Sequence, residues 1–366
     1  MSYNYHIGVD YHKAYSHIVV QDTTGRTLRG GRVRNDRQSV CGFLSPYLEN
    51  AHAVMEATRN WTVMFDWLDD LCGEVVLAHP LKVKAIADAK IKTDKIDAIL
   101  SHLLRADLIP AAHAPGIRAR EARAALRERM FYVRLRTMVK NRIVTLFDRY
   151  PEERAKLKPL SDLFGRAGRE QLGALAVSPL DRIQINRSLV LIEDLNRRIK
   201  ETEATIKEQS KGNANVRRLK TLPGIGEFFA RLIDAEIDEI GRFRTAAKLA
   251  AYAGLVPSTY SSGGKTYHGK IIKQGNKWLR WAFVEAVAPA VSSDPDLKEY
   301  YERLKATKGP NRAKVATARR LLTIAFQLLR DGRSYERRGA RPDGRSRQSR
   351  LSSLLLSEPG KAGLRS

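Results

Sequence analysis

What most constrains the fold of this chain is the succession of short β-branched segments at its start. Tyr5–Asp10, Ser16–Gln21 and a third run ending near Val33 follow one another, with a Thr23-Thr24-Gly25-Arg26 turn between the last two. Ala51–Glu56 is a fourth apolar run, Thr62–Leu71 has helical spacing, and Glu74–Leu77 is a fifth strand stopped by His79-Pro80. Helices are predicted from about Leu81 and again from about Thr93 to Arg105. Three antiparallel strands followed by strand–helix alternation demand a mixed α/β sheet.

That order is the one found in RNase H-like (RuvC-like) domains, although other mixed sheets produce the same string. Asp10 ends the first strand and Glu56 the fourth, and in such a sheet those two ends are neighbours. Asp94 and Asp97, in Lys92-Thr-Asp-Lys-Ile-Asp97, share one helix face at i,i+3 spacing. Four converging carboxylates would hold two Mg²⁺ or Mn²⁺ ions and bring a phosphodiester between them. Taken by themselves, Asp94 and Asp97 read first as a solvated helix face beside Lys92 and Lys95. Asp10 reads otherwise, because a strand flanked by Ile7 and Val9 is buried, and an unpartnered buried carboxylate is costly. His12 and His79 could assist, although a lone His is more often a surface or packing residue than a ligand.

Charge separates the chain into two parts. Residues 1–100 hold 12 Lys+Arg and 12 Asp+Glu, so the whole net charge of +25 lies beyond them, which points to a polyanionic partner, nucleic acid first. From Gly116 to Tyr150 ten basic residues face three acids with few i,i+4 carboxylates, the pattern of a basic nucleic-acid-facing helix or of a solvated one. Ile185, Ile192, Ile199 and Ile206 then recur at seven-residue steps, which predicts a helical hairpin or coiled coil that joins chains or packs on its own domain. Ser210–Asn215 breaks the period and reads as a linker. Leu222-Pro-Gly-Ile-Gly226 has the form of a helix-hairpin-helix turn that grips a phosphate. The predicted domains are 1–112 (α/β nuclease), 113–212 (basic helix and coiled coil), 213–330 (mostly helical), and a basic disordered tail, 331–366. Two cysteines, Cys41 and Cys72, give no disulfide framework, and no apolar run spans a membrane, so a cytoplasmic, nucleoid-associated protein is expected.

Ala253–Lys265 carries adjacent hydroxyls, two glycines and a lysine. A serine on such a turn is a candidate nucleophile toward a phosphodiester, with Tyr260 and Tyr267 as rivals, while composition alone reads it as a turn.

Gly8-Val-Asp10, Met55-Glu-Ala-Thr58, Lys92–Ala98, Leu222–Gly226 and Gly254-Leu-Val-Pro257 followed by Ser262-Gly263 occur in an order and spacing that resemble the DEDD-type insertion-sequence transposases related to the Piv DNA invertases, the bridge-RNA-guided recombinases. The resemblance extends to about residue 330. It implies a metal-binding tetrad of Asp10, Glu56, Asp94 and Asp97, and a covalent phosphoserine link at Ser262, with Ser261 next to it. It also implies double-stranded donor and target DNA, a structured noncoding guide RNA, and a homo-oligomer, dimer or tetramer, whose acids and serine come from different copies. Arg59 stands where such proteins commonly have Gly, beside the metal site.

Three other readings start from the same residues. A RuvC-type junction resolvase would hydrolyse DNA with no adduct, and a non-catalytic derivative would bind nucleic acid only. An actin-like ATPase needs Gly-rich phosphate loops, and Asp10-Tyr-His-Lys13 has none.

Overall fold

The computed structural model describes residues 3–58, 60–87, 96–262, 265–272 and 274–336. Two compact units divide the chain between Pro115 and Gly116.

The first unit is built on five strands, β1 (Tyr5–Tyr11), β2 (Tyr15–Asp22), β3 (Thr27–Arg34), β4 (Ala51–Glu56) and β5 (Glu74–Ala78), in the order β3-β2-β1-β4-β5. β1–β2 and β2–β3 are antiparallel, and β4 is parallel to both β1 and β5, as the segment order predicts. Alternate residues face opposite sides. Ile7, Val9, Ile18, Val20, Val33, Ala53, Met55 and Leu77 make one core with α1 (Arg37–Leu44) and α2 (Thr62–Leu71). The reverse face, with Gly8, Asp10, Val54 and Glu56, lies under α3 (Pro80–Ala87) and α4 (Ile96–Arg105), through Val83, Leu100 and Leu104. The sequence reading missed α1. Its signal is Asp36, which caps the helix by accepting from the Ser39 amide at 2.8 Å, ahead of buried Val40 and Leu44.

The second unit is helical apart from one hairpin. Its long helices α5 (Ile117–Leu146) and α8 (Pro179–Gln209) pack along each other, with α6 (Pro151–Ala155) and α7 (Arg166–Ala174) between them in sequence. The isoleucine stripe of α8 is buried within the chain: Ile185 and Ile192 meet Ile143, Leu146 and Phe147, and Ile206 joins the core formed by the helices that follow. Of the two readings left open by the heptads, packing against the chain's own helices is the one observed. Those following helices are α9 (Ala214–Lys220), α10 (Glu227–Ile237), α11 (Ala246–Ala253), α12 (Lys277–Ser293), α13 (Pro295–Lys308) and α14 (Pro310–Asp331), with strands β6 (Pro257–Ser262) and β7 (Lys265–Ile271) between α11 and α12. Residues 210–213 form a tight turn and α9 begins at Ala214, where Asn213 caps the helix at the Asn215 and Val216 amides and also donates to Asp234 at 2.7 Å. Among the described residues no helix is long and apolar enough to cross a membrane.

The basic helix needs correction. Its arginines lack carboxylates four residues away because the carboxylates come from other helices. Arg123 and Arg127 meet Glu236, Arg129 meets Glu203, Lys140 meets Asp162, and Arg149, just past the helix, meets Asp181. Half of the ten basic residues therefore hold the fold, and local spacing does not reveal such long-range pairing.

Candidate acid site and serine hairpin

The register of β1 fixes the acid site. Val9 pairs with Met55, so Asp10 and the next residue of β4, Glu56, sit side by side at the carboxyl ends of adjacent parallel strands and face the same way. Burial first, and the Asp10 charge second, push the Glu56 carboxyl above its ordinary value. Asp10 is bonded to His12, Nε2 to Oδ2 3.1 Å. Glu56 has no cationic partner among the described residues. At the same sheet end Thr58 Oγ1 and His79 Nδ1 are buried with no hydrogen-bond partner among the described residues, and the Ala57 amide bonds to the Ala78 carbonyl. Two like-charged carboxylates with unsatisfied polar neighbours suit a hard divalent cation with water ligands.

The direction of α4 bears on the other two acids. His102 bonds to Gln21, 3.0 Å between Nε2 atoms, and Gln21 pairs with His6 at the start of β1. The carboxyl half of α4 is thereby tied to the end of the sheet remote from Asp10. From His102 back to Asp97 the helix rises about 7.5 Å, and the His6 and Asp10 rows of the sheet are about 13 Å apart. Asp94 and Arg59 lie outside the described residues, and of Asp97 the backbone alone is described.

In the second unit the Ser-rich segment forms a hairpin where the sequence reading placed a loop. Tyr260 pairs with Tyr267, Ser261 with Thr266 and Ser262 with Lys265, so Ser262 is the last residue of β6, beside the Gly263-Gly264 connection. Alternating Thr and Tyr on both sides of two glycines is a hairpin pattern, which the serines obscured. The backbone alone of Ser261 and Ser262 is described. The base of the hairpin is clamped: the Ile272 amide bonds to Val256 at 3.2 Å, Arg280 donates to the Ile272 carbonyl at 2.9 Å, and the Asn276 amide bonds to Tyr252 at 2.7 Å. Gly254 ends α11 at φ +70°, and its backbone lies so close to Gly275 that neither position has room for a Cβ.

Leu222–Gly226 joins α9 to α10 as a helix–turn–helix pair. Gly224 has φ +80°, and a Cβ there would strike the Ala286 carbonyl. Gly224→Ala is therefore expected to destabilise the second unit by about 1–3 kcal/mol, seen as a lower midpoint of its unfolding transition. At the start of α10, Glu227 is paired with Lys220 and Arg231 and held below its ordinary pKa, with the Lys220 bond as the first cause.

Two family models match the chain. A DEDD transposase domain of the IS110 type covers residues 7–151, including β1 and β4 with both acids, and the transposase domain of the IS116/IS110/IS902 family covers 216–302, including Leu222–Gly226 and the serine hairpin. The chain carries both domains of IS110-type transposases. Among its relatives, an insertion element IS110 protein of 43.6 kDa from Streptomyces coelicolor is 35% identical over 33% of this chain and 30% of its own length. The transposase for insertion sequence element IS1111A from Coxiella burnetii is 31% identical over 45% of this chain and 47% of its own. The pilin gene-inverting protein of Moraxella bovis is 26% identical over 78% of this chain and 82% of its own. Matches to the first two thus span less than half of either relative.

Proposed function

We propose that this chain is a DNA transposase or recombinase that cleaves and rejoins strands with divalent-metal acids and a serine nucleophile. The observation that carries the reading is the Asp10–Glu56 pair, two carboxylates on adjacent strand ends with no cation beside Glu56 among the described residues. The mixed sheet, in RNase H-like order, supports it, as do the packing of α4, which carries Asp97, on β1 and β4, and the names of relatives that act in transposition or gene inversion.

Asp10, Glu56, Asp94 and Asp97 would hold Mg²⁺ or Mn²⁺, which supplies Lewis-acid activation of a phosphodiester. Around that site the residues of the chain have separable tasks. Asp10 and Glu56 provide fixed oxygen donors from a rigid sheet, and His12 orients Asp10 through its 3.1 Å contact. Ser262 would attack phosphorus through its Oγ and retain one DNA end as a phosphoserine ester while the other strand oxygen departs. Lys265 is opposite Ser262 in the hairpin register. A clamped hairpin base keeps the nucleophile on a defined arc.

Donor and target double-stranded DNA, a structured guide RNA, and an oligomer that pairs the acids of one copy with the serine of another complete the reading. In a strand-transfer assay with the DNA and RNA of the element's own flanks, Mg²⁺-dependent joining is expected for the wild type and none for Ser262→Ala. Unchanged joining by that variant would move the nucleophile to Ser261 or a tyrosine. Hydrolysis without joining would favour the resolvase reading.

A further inference from the structure

The sheet face that carries Asp10 and Glu56 continues outward to β3. Register puts Asp10 opposite His17 and His17 opposite Arg32, so these residues share one row and one face with Glu56. α4 covers β1, β2 and β4 on this face, whereas Leu28, Gly30 and Arg32 of β3 are exposed. Gly30 adds no side chain, and the space a Cβ would take there is bounded only at 3.9 Å by Thr27 and Val19.

On this open shelf the Arg32 guanidinium lies 3.5 Å from the centroid of the Tyr15 ring. Tyr15 in turn lies 4.8 Å, ring to ring, from His12, which contacts Asp10. Asn35 fixes the turn between β1 and β2, donating to the His12 carbonyl at 2.7 Å and accepting from Ser16 at 2.6 Å. The Arg32 guanidinium has no carboxylate or hydrogen-bond partner among the described residues, whereas Arg34 meets Asp36 at 3.5 Å and Arg29 donates to the Phe43 backbone carbonyl at 2.9 Å. An arginine held over a tyrosine ring by its guanidinium carbon retains N–H donors for a bidentate contact, which is how guanidinium recognises phosphate. Edge strands often carry charge merely to prevent pairing with other chains, but that role does not require a fixed platform leading to an acid.

We infer that Arg32, held on Tyr15, binds a backbone phosphate of the DNA strand that enters the Asp10–Glu56 site, about 10 Å, two strand spacings, from Asp10. The contact neutralises charge where the acids would otherwise repel the strand, and sets how far that strand reaches across the sheet. This inference rests on the acids being the cleavage site.

The test is binding of the full chain to a fluorescein-labelled 20-base-pair DNA duplex in EDTA, from about 50 to 200 mM salt. Loss of one phosphate contact makes the slope of log K against log salt shallower by about 0.9. Arg32→Ala should show that change, with duplex-induced protection of the 12–34 segment in amide exchange abolished, and Arg32→Lys should restore most of the slope. An unchanged slope and unchanged protection in Arg32→Ala would overturn the inference, as would a loss seen with an RNA hairpin and not with duplex DNA. Cleavage that survives Asp10→Asn while the Arg32 effect persists would instead refute the acid-site reading, so the two failures are distinct.

Discussion

Asp10→Asn should abolish strand cleavage and, in metal-free buffer, make the first unit more stable than the wild type. Asp10 and Glu56 are like charges on adjacent strands, and Glu56 is raised by burial and by Asp10. An acid with a raised folded pKa binds more protons when folded than when unfolded, so its contribution to stability falls as pH rises through that folded value. Removing the Asp10 charge lowers that pKa and moderates the fall. With Mg²⁺ or Mn²⁺ added the order reverses: the wild type gains stability by mass action on the folded state, and the variant gains little. Thermal unfolding in EDTA and in 10 Kd of Mn²⁺ checks both signs, with a gain of about 1.4 kcal/mol for the wild type at that loading. A wild type that is indifferent to metal, or a variant that remains cleavage-competent, contradicts the assignment.

Glu236→Ala should be the most destabilising single change in the second unit. Glu236 is 1% exposed and holds three elements together: α5 through Arg123 at 3.6 Å and Arg127 at 3.0 Å, and the start of α12 through Asn276 at 2.8 Å. Arg123 is itself buried and also donates to the Ala235 and Glu236 carbonyls at 2.7 and 3.1 Å. Deleting the carboxylate leaves that guanidinium without its counter-charge, at a cost of about 3–5 kcal/mol. It also frees Asn276, which caps α12 and lies next to the base of the serine hairpin. Urea unfolding followed in the tryptophans of α12 should show a lower midpoint, with the transition of the first unit unmoved. A shift under about 1 kcal/mol would mean that water reaches the pair, as at an exposed ion pair.

Much of the first unit is legible from sequence because its strands are short, β-branched and separated by turn residues. Asp10 and Glu56 are legible for the same reason: each closes a buried strand, and parallel pairing of those strands brings them together. What lies further off in sequence is less so. Only the three-dimensional register reveals that Arg32 shares a row with Asp10, since 21 residues and two turns intervene. The counter-charges of the basic helix were likewise hidden, because Glu203 and Glu236 reach it from α8 and α10. Heptad spacing announced a helix pair without naming the partner, and α5 supplies it from the same chain. The serine segment was misjudged because serine and glycine are common to turns and to hairpin ends.

The chemistry of Ser262 is the central claim, and trapping its adduct tests it most directly. The full chain would be incubated with its flanking DNA, RNA and Mg²⁺, denatured, digested, and searched by mass spectrometry for a nucleotide attached to the peptide that contains residues 257–265. A phosphoserine–DNA linkage at Ser262 that vanishes in Asp10→Asn and in Ser262→Ala is the expected result. Efficient cleavage with no protein-linked DNA, or a linkage that persists in Ser262→Ala, would contradict the account.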